Sequence, residues 1–252
     1  LGIDVFAALT TGDNNVAVGF AALDANTTAA NNTAIGSQAL TATTTGSNNT
    51  AVGQDAGLAI TTGAHNVTIG TKSQMTNTTG NYNVSIGKES LKLLTTASNN
   101  TALGYVTLQA TTTGADNTAV GANALQANTT GHSNTAVGRD ALSAATTVSS
   151  QTAIGYEALK AQHTNGNNTA VGYQAGLTVT TGAGNDLYGY QCGDKITTGY
   201  SNTIYGGFSM DSGADKTGYN NVGIGPSIMR NMTSGHSNTG AGVRNLEDNT
   251  TG

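Results

Sequence analysis

Apolar positions in this chain recur every 17 residues, not at the two-residue step of a strand or the 3.6-residue step of a helix. Written from its leading asparagine, one unit reads Asn117-Thr118-Ala119-Val120-Gly121, then Ala122-Asn123-Ala124-Leu125, then Gln126-Ala127-Asn128-Thr129-Thr130-Gly131-His132-Ser133. Asn134 opens the next with the same five letters. Units start at 15, 32, 49, 66, 83, 100, 117, 134, 151, 168, 185 and 202 without a slip, and after a two-residue gain at 221 and 238. Positions two and four share one face of a short strand, because side chains alternate. Position three is nearly always small, which places the opposite face against another wall.

The columns differ in strictness. The fifth is glycine throughout, as at Gly19, Gly36, Gly53, Gly70, Gly87, Gly104, Gly121, Gly138, Gly155 and Gly172. Such a column predicts positive φ or an approach too close for a Cβ. The first is Asn15, Asn32, Asn49, Asn66, Asn83, Asn100, Asn117 and Asn134, then Gln151, which keeps the amide. Stacked amides predict a hydrogen-bonded ladder. The fourth is Val, Ile or Leu through Val171 and then Tyr188 and Tyr205, read as aromatic residues entering a core column. The fifteenth is usually Gly but admits Ala29, Ala97 and Val148, so there glycine is only a preference.

The second half of the unit is less regular. Leu40, Leu91, Leu108, Leu125, Leu142 and Leu159 hold position nine, while Gly57-Leu58 and Gly176-Leu177 move the apolar residue one place on. A single helical turn and a second short strand both fit so few residues. The Thr-Thr-Gly that follows reads as a turn.

Seventeen residues suit one coil of a solenoid. The expectation is an all-β parallel β-solenoid or β-roll, regular over 1–184 and degenerate over 185–252. The two extra residues fall near Gly213-Ala214, in a loop. At about 4.8 Å per coil, the array predicts a rod roughly 70 Å long.

Composition sharpens this picture. Of 252 residues only 9% are charged, with one Pro, one Cys and no Trp, and the net charge is −5. Disordered chains are richer in charge and proline. A nucleic-acid partner would want a basic stripe, and none is written here. No apolar run is long enough for a membrane helix. The chain starts and stops in mid-repeat, which reads as a section of something longer.

Each coil offers only about two large apolar side chains, each worth about 1.5–3 kcal/mol on burial. Ordering a residue costs on the order of 1–2 kcal/mol. The expectation is a homo-oligomer, packed through alanine walls such as Ala119, Ala136 and Ala153.

Candidate chemistry is sparse. Asp140 and Glu157 share position seven of adjacent coils, which stacking would bring about 5 Å apart, near a retaining glycosidase's spacing. Their column also holds Gln38, Lys72 and Asn123, as a solvated polar edge would. His65, His132, His163 and His236 occupy no consecutive coils, so no metal site is expected. Cys192 falls in the small-residue column and reads as buried. Asn48, Asn66, Asn99, Asn128 and Asn167 open Asn-x-Thr motifs, candidates for glycosylation in a cell with the transferase.

The strand Asn-Thr-Ala-Val-Gly, with Asn-Val-Thr-Ile-Gly at 66–70 and Asn-Val-Ser-Ile-Gly at 83–87, resembles the head repeats of trimeric autotransporter adhesins. Gly-Tyr-Gln-Ala at 172–175 and the Thr-Thr-Gly turns resemble the repeats of bacteriophage tail fibres. The resemblance implies a trimeric extracellular fibre shaft or adhesin head at a cell surface or on a virion. Such a fibre is a rigid spacer and multivalent scaffold for a surface glycan or receptor, with no enzymatic activity and no cofactor. Two other readings compete: an ice-binding solenoid built on threonine columns such as Thr62, Thr79 and Thr96, and a polysaccharide-degrading tailspike.

Overall fold

The computed structural model describes residues 2–164 and 166–251. They form two compact units, one running to Thr130 and the other from Gly131. The first holds strands β1 (Val16–Val18), β2 (Thr33–Ile35), β3 (Thr50–Val52), β4 (Val67–Ile69), β5 (Val84–Ile86), β6 (Thr101–Leu103) and β7 (Thr118–Val120). The second holds β8 (Thr135–Val137), β9 (Thr152–Ile154), β10 (Thr169–Val171), β11 (Asp186–Tyr188), β12 (Thr203–Tyr205), β13 (Val222–Ile224) and β14 (Thr239–Ala241). Among the described residues there is no helix. Within each unit every strand pairs in parallel with the next, one repeat along: Ala34 lies beside Ala51, and Ala153 beside Ala170. The fold is a parallel β-solenoid with one 17-residue coil per repeat.

Only three residues per coil are strand, so the rest of the circuit is bends. Glycine at position five takes φ between +126° and +142° from Gly19 to Gly172. A Cβ on Gly36 would also lie 2.4 Å from the Gly53 carbonyl oxygen, so both readings of this column hold at once. Positions seven, nine and seventeen are left-handed although they are rarely glycine, as at Gln38 (φ 58°), Leu40 (φ 53°) and Asn48 (φ 62°). Asparagine accepts that conformation readily, whereas leucine does so at a cost. The second half of the coil is therefore neither a helical turn nor a strand. It is a run of four-residue turns, with Ala56 N–H donating to Gly53 and Ile60 N–H to Gly57.

The bends are held by neighbouring coils. Gln38 N–H donates back to Phe20, Leu40 N–H forward to Ala56, and Asn48 N–H back to Ala30, at 2.7–3.1 Å. Almost the whole circuit is thus laddered, well beyond its three strand residues, and this meets the requirement that buried backbone groups be bonded.

The interior is one side chain deep. Ala34 and Ala51 at position three are fully buried, in one cluster with Ala39 and Ala56 at position eight, Leu23, Leu40 and Ile60. Position three therefore packs against its own chain. Ala119, Ala136 and Ala153 are likewise fully buried within their units, which overturns the expectation that alanine walls meet sister chains. Positions two and four point outward instead. Ile35 and Leu103 are exposed, and so is Tyr205, whose column is an outer face and not a core.

Position twelve gains an apolar side chain where position nine loses one. Where position nine is Gly57, Gly176 or Gly193, position twelve is Ile60, Val179 or Ile196, all fully buried. A Cβ on Gly57 would meet Leu40 Cδ2 at 2.9 Å and Ile60 Cδ1 at 3.0 Å. The filler is thus three places on, and Leu58, one place on, is only half-buried. Gly223 at position three likewise faces Ile228 at position eight. The extra residues near Gly213-Ala214 lie in an exposed loop, and pairing resumes where Lys216 bridges Ile196.

Candidate functional site

The asparagine column runs inside the coil wall. Asn83 Oδ1 accepts from Asn100 N–H at 2.9 Å, and Asn83 Nδ2 donates to the Ala97 carbonyl at 3.0 Å. The same pair of bonds recurs at Asn32, Asn49 and Asn66. Gln151 keeps the contact, accepting from Asn168 N–H at 3.1 Å. This column closes the circuit, tying position one to position fifteen of its own coil and to the next coil. From Asn32 to Asn221 the column is buried.

Accessibility divides the candidate glycosylation positions. Asn48, Asn99 and Asn167 occupy the exposed seventeenth position. Asn66 and Asn128 are fully buried, and Asn66 Nδ2 donates to Gly80 O at 2.9 Å. A glycan has no room at either, so those two are corrected to interior residues.

The threonine pairs also divide. Position thirteen donates its hydroxyl to the next coil: Thr44 to Thr61 O, Thr61 to Thr78 O and Thr78 to Thr95 O, at 3.0–3.3 Å. From Thr27 to Thr130 position thirteen is half-buried and position fourteen, as at Thr62, Thr79 and Thr96, is exposed. The two threonines of a pair are therefore not equally presented to water, as a flat paired array would require.

The carboxylates of position seven are engaged. Glu157 meets Lys160 at 2.6 Å and accepts from Gln174 at 2.8 Å. These contacts, Lys160 first, hold its pKa below the ordinary value. A glycosidase general acid needs the opposite shift. Asp140 meets the exposed Arg139 at 3.1 Å. The four histidines are exposed at the turn, His65 stacking on Tyr82 and His236 on Tyr219. Among the described residues no three metal-ligating side chains gather. Cys192 is buried, with its thiol pushed up to about 12 by burial, and has no outward face for a disulfide between chains.

Two outer features escaped the repeat pattern. The first is the face of positions two and four, which carries a single acidic residue, Asp186, among the described residues and is bordered in the second unit by aromatic stacks at position six. Tyr156, Tyr173 and Tyr190 stack with centroids 5.0–5.2 Å apart, and beside them Tyr188 lies 4.4 Å from Tyr205. Their 17-residue spacing was the available signal, since it superimposes equal columns. The second is a polar groove at the turn, around Ala183 and Gly184. Small residues at two consecutive outward positions were its only trace in the sequence.

These features define a class, a parallel β-solenoid that carries its two candidate contact features on its outer surface. The chain matches no protein-family profile, no curated protein and no solved structure.

Proposed function

We propose that this chain is a structural segment of an extracellular fibre, a shaft or an adhesin head, that associates with copies of itself and presents repeated contacts to a surface. One observation carries the reading. The outward strand face repeats a large apolar residue once per coil, and Val18, Ile35 and Leu103 in the first unit and Ile154, Tyr205 and Ile224 in the second are all exposed. Contiguous exposed apolar surface marks an interaction site. A file repeated at coil spacing fits a partner with the same repeat, and a second copy supplies it. The resemblance to trimeric heads favours three chains. The interior, filled by alanine and leucine, serves stiffness, and the outer face serves contact, many weak contacts adding through multivalency.

Sedimentation velocity of the purified chain tests this. Wild type is expected to sediment as an oligomer at micromolar concentration. Ile86→Lys with Leu103→Lys places two charges on the outer face and leaves the coil interior intact, so a folded monomer by circular dichroism is the expected result. A wild-type chain that is itself a folded monomer would remove the reading.

A further inference from the structure

We propose that the groove floored by Ala183 and Gly184 is a binding site for a neutral saccharide. The groove lies on the turn edge of the second unit, is shallow and open to solvent, and offers about 480 Å³, within the range of small-ligand sites. It exists because one coil gives up its side chains. Other coils carry Asn48, Asn99 or Ser201 at position seventeen, whereas here the residue is Gly184, with φ +65°. A Cβ at Gly184 would meet nothing nearer than Ser201 Oγ at 3.6 Å, so the space is open. Ala183 keeps the neighbouring sixteenth position equally low.

One wall is aromatic. Tyr200 stacks on Tyr219 with centroids 4.7 Å apart and planes 4° from parallel, which covers one face of its ring. In the preceding coil the matching position is Ala183 and not a ring, so the other face borders the groove. The rim is Asn167, Thr198 and Ser201. A second groove of about 380 Å³, built on Ser149, Ser150 and Gly166, shares Asn167 with the first.

The chemistry selects the ligand class. No lining residue of either groove carries a charge, so nothing there neutralises a phosphate or carboxylate. Hydroxyl and amide side chains both donate and accept, and thus match the hydroxyls of a sugar. An aromatic face is electron-rich and attracts the C–H face of a pyranose ring. Two adjoining uncharged, hydroxyl-lined grooves, the first with an aromatic wall, suit an oligosaccharide laid along the coils. This proposal deepens the reading of the chain as a surface-contact fibre and rests on it for biological setting only.

The test is titration of the full chain with neutral hexasaccharides: an α-1,4-glucan, a β-1,4-glucan, a β-1,4-mannan and a β-1,4-xylan. Saturation-transfer NMR and calorimetry read binding. At least one is expected to bind in the millimolar range or tighter. Tyr200→Ala is expected to weaken it roughly tenfold or more, a loss of about 1.4 kcal/mol. Gly184→Asn is the sharper variant. Asparagine stands at the same left-handed position in other coils, so the fold is kept while the groove is filled, and binding is expected to be lost. Thr79→Ala, on the same edge of the first unit, is expected to change nothing. Absence of binding by all four sugars, binding unchanged in Gly184→Asn, or binding of adenosine in preference to every sugar would each overturn the proposal. Sugar binding by a chain that sediments as a monomer would leave the groove standing and remove the self-associating fibre. An oligomer that binds no sugar would do the reverse.

Discussion

Gly63 and Gly70 stand seven residues apart, and a Cβ built on either would come within 2.6 Å of the next coil's backbone. They differ in backbone conformation. Gly70 has φ +126°, in a region nearly closed to residues with a Cβ, whereas Gly63 belongs to a column that elsewhere holds Ala29 and Ala97. Gly70→Ala is therefore expected to lose about 1–3 kcal/mol more stability than Gly63→Ala, read from urea denaturation of the two variants. Equal losses would show that crowding alone decides both columns. A second expectation concerns the exchange between positions nine and twelve. Leu40→Gly empties a buried site and is expected to cost about 2–5 kcal/mol, less the relief of a strained left-handed leucine. Adding Thr43→Ile recreates the Gly57–Ile60 arrangement of the next coil and should recover most of that loss. A double-mutant cycle without positive coupling would mean that the two positions do not share one space.

The coil as a unit is closed by hydrogen bonds and tuned by one local departure. Near the insertion Lys216 is fully buried, its ammonium donating to the Ser212 carbonyl, and Asp194 is buried close by, with one carboxylate oxygen lacking a hydrogen-bond partner. Burial pushes Asp194 up to about 6 from an ordinary 3.8, against the pull of Lys195 and Lys216 and with the push of Asp211. A carboxyl raised in the folded state favours folding while it is protonated. Its contribution is full below the unfolded value and is lost as pH rises through about 6. Burial also lowers Lys216 from 10.5, against the pull of Asp211 and Asp194. Glu89 and Glu157 are lowered, so their contributions fade only as pH falls below the ordinary carboxylate value. Thermal stability is therefore expected to fall between pH 4.5 and about 7, and Asp194→Asn is expected to flatten that slope. A wild-type melting curve that rises across the same window would contradict the burial of this charge.

Across the molecule, each coil within a unit contacts its neighbours along its whole circuit and has almost no interior of its own. Stability in such arrays is close to a sum of coil and interface terms. Deleting residues 32–48, one whole repeat, joins Asn31 to Asn49 with every column still in register. That variant is expected to fold, with a urea m-value reduced in proportion to the surface one coil contributes. Deleting only residues 32–39 shifts every later column of that coil and should abolish cooperative unfolding in the first unit. Calorimetry of the two deletions separates the outcomes, and equal tolerance of both would deny that the 17-residue circuit is the structural unit.

The period, the strand at positions two to four and the parallel one-repeat register were legible in the residues, because a solenoid superimposes equal columns and strictness within a column reports constraint. The glycine and asparagine columns announced a special bend and an amide ladder in the same way. Which way the strand faces was not legible. Val18, Ile35 and Leu103 read as core by their hydrophobicity, and Ala119, Ala136 and Ala153 as a contact for other chains. The structure reverses them, since the interior is so narrow that positions three and eight are mostly alanine or serine, and where one wall carries Ile228 the facing residue is Gly223. Left-handed leucines such as Leu40 were equally hidden, because nothing local favours that conformation and only bonds to the coils on either side hold it. The groove at Gly184 is the same lesson on the outer surface. Two small residues have no meaning in a linear pattern until stacking sets them between the side chains of the coils before and after.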